Sequence, residues 1–465
     1  MTAPRRFDLI VLGAGPAGGR AALAAAAAGL SVALVDEQKA AGGQVWRKPG
    51  RGPNAPATRP TPGDTLRTDL ERSDVNAFYG HRIWSVTEGF RVDASVPDGH
   101  VAFAADHLIV ATGAHERVNP FPGWTKPGVM GLAAATILLK SEARLPGRHV
   151  VVAGRGPLLA QVAAGILGKG GAVAAVVDRL PLTAWLKVMP DLATQPALLS
   201  EGAGWMAKIL ARRTPWLFNQ TVVEAHGADV LDHVVVESSS GDRRTLPCDA
   251  LVIGDGLVPG AEVARLLGAR MRFERLRGGW IPDLSDEFES SVPRLFCVGD
   301  GAGIRGALQA GTAGEIAALA VASRLGRKTA HDQVIRLRRR YARASRFSDA
   351  VAGMLCGRTA EVARIGADTI VCRCEDVRRS EIDASVAEGI HDLNQIKHAT
   401  RCGMGPCQGR MCGETVQELV ALASRRSRED VGAWTGRPPL RPVPLADLVG
   451  SFDYGDIPVP EPAPL

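Results

Sequence analysis

The sequence predicts an α/β protein with two dinucleotide-binding domains of the Rossmann type, the second inserted into the first, followed by a small helical domain. Three observations lead to this prediction. Two stretches of the chain each combine a short apolar strand, a glycine-rich turn and a helix. The strand 295–298, which ends in Gly299 and Asp300 and is assigned to the first domain, lies after the second stretch in the chain. Five of the 8 cysteines cluster near the C-terminus, which indicates a separate module.

The first glycine turn predicts a dinucleotide site. It follows the apolar strand 7–12 and opens an alanine-rich helix, whose N-terminus can meet a pyrophosphate. The next strand ends roughly twenty residues later in two acids, of which the first is placed to accept from a ribose hydroxyl. The predicted residues are Gly13, Gly15, Pro16, Ala17, Gly18, Asp36 and, as the alternative acid, Glu37.

Three later motifs favour FAD as this dinucleotide. A glycine pair with Gln44 follows the second strand, and the strands 108–111 and 295–298 each end in a small-residue turn. These motifs resemble the flavoproteins related to glutathione reductase, in which the acid matching Asp300 holds the ribityl chain. The further residues that this resemblance implies are Gly43, Gln44, Thr112, Gly113, Gly299 and Asp300.

A second strand–turn–helix pattern predicts an inserted domain related to NAD-binding domains. Its turn 154–159 has Leu159 where a third glycine is expected, and its second strand ends in Asp178. Leu159 should push the helix from the strand, and Asp178 disfavours NADP. We therefore expect a structural scaffold, with a working nicotinamide site as the alternative. No cysteine pair lies near the flavin motifs, which excludes disulfide-reductase chemistry.

The clustered cysteines predict a metal site. Four convergent thiolates can bind an iron–sulfur cluster or a structural zinc. The spacing alone leaves open whether Cys402 or Cys412 is the fourth ligand. Two predicted helices between the cysteines resemble the 2Fe-2S domain of bacterioferritin-associated ferredoxin, although the second pair of that domain has two intervening residues instead of four. Nearby basic side chains would offset an anionic cluster or form a solvated surface: Arg373, Lys397, His398, Arg401 and Arg410.

Three stretches, 42–47, 111–117 and 400–412, resemble the A (alpha) subunits of heteromeric flavin dehydrogenases. That family includes opine oxidases, hydrogen cyanide synthase, and hydroxyproline and dye-linked proline dehydrogenases. The resemblance covers nearly the whole chain. It implies that Cys402 is spare and that the metal ligands are Cys372, Cys374, Cys407 and Cys412.

The resemblance also implies a division of labour between subunits. An oxidase-like beta subunit would carry its own FAD and oxidise the carbon beside a substrate nitrogen, with an FMN at the subunit junction in some members and a small third subunit in others. This chain would bind FAD and a 2Fe-2S cluster, pass electrons to a downstream acceptor and have no catalytic acid–base pair. The alternatives are a self-contained NAD(P)H-dependent reductase and a regulatory module on an inactive flavoprotein scaffold.

The composition fits a globular protein of several domains. Of the 465 residues 46% are hydrophobic and 22% charged, and the net charge of +6 is spread without a long basic run. We expect no nucleic-acid partner, no membrane-spanning segment and a cytoplasmic location.

The predicted divisions are an FAD domain (1–125 and 281–328), an inserted domain (126–280), a helical linker (329–366), a 2Fe-2S domain (367–426) and a proline-rich tail (427–465).

Overall fold

The computed structural model describes residues 3–50, 60–356 and 359–449. Part of the proline- and glycine-rich stretch 49–63 and the end of the predicted tail lie outside these residues. The strands are β1 (Arg5–Leu12), β2 (Val32–Asp36), β3 (Asn76–Tyr79), β4 (Arg82–Thr87), β5 (Arg91–Val96), β6 (Gly99–Val110), β7 (Ala114–Glu116), β8 (Val129–Gly131), β9 (His149–Gly154), β10 (Ala172–Asp178), β11 (Trp216–Phe218), β12 (Gln220–His226), β13 (His233–Ser238), β14 (Arg243–Pro247), β15 (Ala250–Gly254), β16 (Leu257–Pro259), β17 (Met271–Glu274), β18 (Gly279–Pro282), β19 (Leu295–Cys297), β20 (Ile370–Cys372) and β21 (Val377–Arg378). The helices are α1 (Pro16–Ala27), α2 (Pro62–Glu71), α3 (Leu132–Ser141), α4 (Leu158–Gly168), α5 (Leu182–Leu192), α6 (Pro196–Ala211), α7 (Glu262–Leu266), α8 (Ala307–Arg324), α9 (His331–Leu355), α10 (Thr359–Ala363), α11 (Arg379–Ala387), α12 (Leu393–Thr400), α13 (Gly413–Ser424), α14 (Arg428–Val431) and α15 (Leu445–Val449).

The first sheet has the strand order β3-β2-β1-β6-β5-β4, and β19 also pairs with β6. Strands β1, β2, β3, β6 and β19 run parallel, and β1 ends in the fully buried residues Leu9–Leu12. Helices α1 and α8 pack on one face of this sheet, where alanines and glycines permit close approach. Because β19 joins this sheet only after the second sheet is complete, the second domain is inserted in the first, as predicted.

The second sheet has the order β11-β10-β9-β15-β8 and is parallel throughout. Its central strand β9 is buried from Val150 to Gly154, as expected of a parallel strand covered on both faces. Helices α3, α4 and α6 cover one face, and the antiparallel sheet β12-β13-β14 lies against the other. The carboxyl ends of β9, β10 and β15 therefore meet at one edge.

Helix α9 links the flavin-type domain to the cysteine region. It packs against α8 through Tyr341, whose ring lies edge-on to Phe288 at 5.4 Å between centroids. Among the described residues, no helix combines the length and the apolar character that a membrane span requires. The basic residues of α9 face largely outward.

The cysteine region has a small core of its own, formed by α10 to α13 and the β20–β21 hairpin. Val431 and Trp434 belong to this core, which corrects the predicted boundary at residue 427. The chain then crosses the first domain, where the backbone N–H of Leu440 donates to the carbonyl of Trp84 at 2.7 Å. The predicted boundary lies too early because it was drawn from the proline-rich composition of the tail. That composition does not reveal that Trp434 anchors the start of the tail in this core.

Candidate flavin and cysteine site

The first glycine turn connects β1 to α1 with almost no free space. Gly13 has a φ of +99°, and a Cβ on it would lie 2.5 Å from the carbonyl oxygen of Ala111. A Cβ on Gly18 would collide with the carbonyl oxygen of Gly13. Pro16 and Ala17 form the first turn of α1, whose N–H groups point to the place expected for a pyrophosphate.

The two acids at the end of β2 have different environments. Asp36 is buried and accepts hydrogen bonds from the backbone N–H of Ala14 (2.5 Å) and of Gln38 (2.7 Å). Burial raises the pKa of Asp36, while these two N–H donors oppose the rise. Glu37 is exposed, with Arg82 at 4.0 Å. Asp36 thus stabilises the glycine turn, and Glu37 is the more open carboxylate beside it.

The loop that contains Gly43 and Gln44 lies directly on the glycine turn. A Cβ on Gly43 would come within 2.9 Å of the Cα of Gly15. Gln44 accepts from Arg47 at 2.8 Å, and the Nε of Arg47 is buried without a hydrogen-bond partner among the described residues. This unpaired donor beside the turn is available to an anionic ligand. Sequence reasoning missed Arg47, although it ends the stretch 42–47.

Three loops converge where the flavin ring is expected. Thr112 Oγ1 donates to the carbonyl of Gly260 at 2.6 Å, and the N–H of Gly260 donates to the carbonyl of Gly113 at 2.8 Å. A Cβ on Gly301 would lie 3.2 Å from that same Gly113 oxygen. The first and last of these loops carry the predicted motifs, whereas the loop at 256–261, which leads from β15 to α7, has no flavin signature in the sequence. Helix α7 itself packs in the core of the first domain.

Asp300 lies at the entrance to α8. Its Oδ1 accepts from the backbone N–H groups of Arg305 and Gly306, both at 2.9 Å. Burial raises its pKa, and the two N–H donors oppose that effect. Gly299 packs against Ala17, where a Cβ would lie 2.9 Å from the alanine Cβ. These residues, together with the turn at 13–18, fit an FAD in the first domain.

The second glycine turn is closed by side chains of the protein itself. Asp178 is fully buried and accepts from the indole N–H groups of Trp185 (2.8 Å) and Trp216 (3.3 Å), and from the backbone of Leu180 (2.9 Å). Burial raises its pKa to about 6, and the hydrogen bonds limit the rise. A carboxylate with three protein donors is poorly placed to bind a ribose.

The end of α9 covers the same turn. Arg155, only 2% exposed, donates from Nη1 to the carbonyl of Cys356 at 2.6 Å and forms an ion pair with Glu361. A Cβ on Gly156 would lie 3.0 Å from Leu355 Cδ2, and a Cβ on Gly256 would collide with the carbonyl oxygen of Leu355. The space that a pyrophosphate occupies in such domains is thus filled here by the linker.

Five cysteines converge in the C-terminal region, all with free thiols. The sulfurs of Cys372, Cys402 and Cys412 lie within 4.8 Å of one another. Hydrogen bonds from the latter two thiols lower the pKa of Cys372 to about 2. Cys374 and Cys407 contact each other through their side chains. Such a group of soft ligands fits an iron–sulfur cluster or zinc.

Cys402 is fully buried within this group, not displaced from it. The resemblance implied that it is spare, yet it lies buried with Cys372 and Cys412, whereas Cys374 and Cys407 are only half-buried. The ligand set Cys372, Cys374, Cys407 and Cys412 therefore stays a prediction. The distinction requires the metal itself to be measured.

Trp434 shapes the cysteine loop. Its ring would be 2.6 Å from a Cβ on Gly403, and it would collide with a Cβ on Gly409. Its indole N–H donates to the carbonyl of Leu393 at 2.9 Å, which anchors the ring to α12. Sequence reasoning missed this tryptophan, which lies more than twenty residues beyond the last cysteine.

The cysteine loop rests on the flavin-type domain. Arg410 binds Glu262 at the start of α7 with 2.9 Å between Nε and Oε1, and its Nη1 donates to the carbonyl of Cys407 at 3.2 Å. Thr415 donates to the carbonyl of Val118 at 2.7 Å. Because α7 follows Gly260 in the chain, only short stretches separate the cysteine loop from the loops that carry the flavin motifs.

Comparison with known proteins agrees with both parts of this arrangement. Residues 7–326 match the family described as pyridine nucleotide-disulphide oxidoreductase, and residues 367–451 match the sarcosine oxidase A3 domain. The solved structure of L-proline dehydrogenase from P. horikoshii superimposes with a TM-score of 0.71 at 19% identity, covering 96% of this chain and 81% of that one. At this identity the likeness supports the fold.

Two curated relatives are closer in sequence. The opine oxidase A subunit of Rhizobium meliloti is 32% identical over 95% of this chain and 87% of its own length. The hydrogen cyanide synthase component HcnB of Pseudomonas aeruginosa is 31% identical over 94% of this chain and 97% of its own length. The chain therefore belongs to the pyridine nucleotide-disulphide oxidoreductase family of flavin-dependent enzymes, in the group of the opine oxidase A subunits.

Proposed function

We propose that this protein is the electron-transferring subunit of a heteromeric, cytoplasmic dehydrogenase that oxidises an amine or imino acid of the opine, proline or glycine type. An oxidase-like beta subunit with its own FAD would oxidise the substrate, and an FMN at the subunit junction and a small third subunit would be further components. When bound, FAD in the first domain would accept electron pairs and a 2Fe-2S cluster would transfer single electrons to an acceptor. The relatives named as subunits support this assignment.

The position of the cysteine loop carries the proposal. Arg410 connects the carbonyl of Cys407 to Glu262, and Glu262 begins the helix after the Gly260 loop that hydrogen-bonds Thr112. This arrangement supports the proposal, because it holds the cysteine loop beside the loops that carry the flavin motifs.

The second candidate, a self-contained NAD(P)H-dependent reductase, is disfavoured by the inserted domain. A nicotinamide nucleotide needs an open glycine turn and a free acid at the end of the second strand. Here Leu355 and Arg155 fill the turn, and Asp178 is held by two indole N–H groups. Electrons should therefore enter through a partner.

Anaerobic purification with and without an oxidase-like partner subunit tests the proposal. We expect flavin and about two irons per chain, and flavin bleaching by an opine, proline or glycine-type substrate only when the partner is present. Cys407→Ser should reduce the iron content strongly, whereas Cys248→Ser, a buried thiol in the inserted domain, should leave it unchanged. Bleaching by NADH without a partner would instead establish the self-contained reductase, and zinc in place of iron would establish a structural site.

A further inference from the structure

We propose that the ion pair between Arg410 and Glu262 sets the reduction potential of the cysteine-bound cluster and positions its loop on the flavin-type domain. The inference rests on the proposed function and names the residues that tune the same site. It selects one arginine among the basic residues near the cysteines and adds a carboxylate from a distant part of the chain.

Arg410 connects three separate segments. It lies between Cys407 and Cys412, and its side chain is only 14% exposed. Beyond its contacts with Glu262 and the carbonyl of Cys407, its Nη2 donates to the carbonyl of Leu440 at 3.0 Å. The guanidinium fork thus ties the cysteine loop to α7 and to the C-terminal segment, a geometry that lysine cannot reproduce in full.

The other arginines near the cysteines lie in water. Arg401 precedes Cys402 directly, yet its side chain is 69% exposed and pairs with Glu375 at 2.8 Å. Arg373 is also exposed. Water and salt screen charges at such positions, whereas a buried charge acts through a low dielectric. Arg410 should therefore influence a nearby anionic group far more than Arg401 does.

Both members of the pair are charged. Burial by itself would raise the pKa of Glu262, but the charge of Arg410, together with other neighbours, lowers it below its usual value. Reduction of a cluster adds negative charge, so a nearby cation favours reduction and a nearby anion opposes it. Loss of the arginine and loss of the carboxylate should consequently shift the potential in opposite directions.

Four variants test this inference in the assembled complex: Arg410→Gln, Glu262→Gln, the double variant, and Arg401→Gln as the matched control. The readout is an EPR-monitored redox titration of the cluster, with the flavin potential followed in parallel. We expect Arg410→Gln to disfavour reduction about tenfold, equivalent to about 59 mV for one electron. Glu262→Gln should favour reduction, the double variant should lie near the wild type, and Arg401→Gln should change little.

The sign of the shifts separates tuning from a merely structural role. Shifts of the same sign in both single variants, or a shift no larger than that of Arg401→Gln, would overturn the inference. If Arg410→Gln loses iron, Arg410→Lys takes its place in the test. Lysine retains the charge, so the equilibrium constant for cluster reduction should stay within about threefold of the wild-type value. A wild-type protein without a reducible iron cluster would refute the proposed function itself, so the two failures are distinguishable.

Discussion

At the first glycine turn, the adjacent acids Asp36 and Glu37 lie in different environments. Asp36 accepts the N–H of Ala14 and so stabilises the turn, while Glu37 stays exposed. The sequence predicts the acid pair from its distance to the glycines. It does not predict which of the two acids accepts the Ala14 N–H, because the direction of that N–H depends on the close approach of the turn to Ala111.

Replacement of Gly18 by alanine should prevent correct packing of α1. The new Cβ would collide with the carbonyl oxygen of Gly13, which belongs to the backbone and cannot rotate away. We expect a loss of about 1–3 kcal/mol in the free energy of unfolding and greatly reduced flavin content, measured by urea unfolding and visible absorption. Gly168→Ala is the control, since nothing lies within 4 Å of its Cβ position. Full flavin content in Gly18→Ala would contradict the predicted close contact.

A second prediction at this scale concerns pH and Glu116. This side chain accepts the backbone N–H of Ala133 at 2.7 Å at the start of α3, and burial raises its pKa from 4.5 to about 7. Because the folded state then holds the proton more tightly than the unfolded state, stability from this group is present below pH 4.5 and is lost as the pH rises through 7.

Glu116→Gln cannot ionise at this position. As the pH rises from about 5 to about 8, its free energy of unfolding should therefore increase relative to that of the wild type by up to about 3 kcal/mol. Urea unfolding at both pH values measures this difference. Glu142→Gln, an exposed position just beyond the other end of α3, is the control. An equal pH dependence in wild type and Glu116→Gln would show that Glu116 ionises normally.

Among the elements, the C-terminal end of α9 and the segment around Trp434 decide what the two glycine-rich regions can do. Leu355 fills the second Rossmann turn, and Trp434 covers the glycines of the cysteine loop. The sequence predicts the second glycine turn and the cysteine cluster from local patterns. The elements that pack on these two glycine regions come from distant parts of the chain, and no local sequence pattern predicts these contacts.

Trp434→Ala should disorganise the cysteine loop, because it opens a cavity against Gly403 and Gly409. We expect a loss of about 3–5 kcal/mol in the stability of this region and reduced iron content, measured by calorimetry and an iron assay. Trp434→Phe keeps an aromatic ring but loses the hydrogen bond to Leu393, so it should retain most of the iron. Normal iron content in Trp434→Ala would show that the loop holds its shape without the ring.

Across the whole molecule, a buried charge network joins the cysteine region to the flavin-type domain. Arg428 pairs with Glu414 at 3.1 Å and with Glu418 at 2.5 Å. These carboxylates in turn bind Arg117 (3.3 Å) and Arg275 (3.1 Å), which belong to the body of the protein. The network makes the docking of the cysteine region depend on complete pairing, since an unpaired buried charge is costly.

Arg428→Met should destabilise this docking by about 3–5 kcal/mol, because it removes the cation between two buried carboxylates. Limited proteolysis of the linker between α9 and α10 and calorimetry measure the effect. Arg426→Ala changes an exposed arginine two positions away and should be neutral. Unchanged protease resistance in Arg428→Met would show that apolar contacts alone fix the cysteine region.

By itself, the sequence determined the α/β class, the inserted second domain, the FAD-type motifs and the five-cysteine module. These features follow from local patterns, since strand–turn–helix periodicity and glycine spacing have short-range physical causes. Only the tertiary structure decided that the second nucleotide turn is filled by α9, that Cys402 lies among the other thiols, and that Arg410 meets Glu262. Each of these contacts joins residues distant in the chain, and their packing depends on the surrounding fold, which local patterns do not encode.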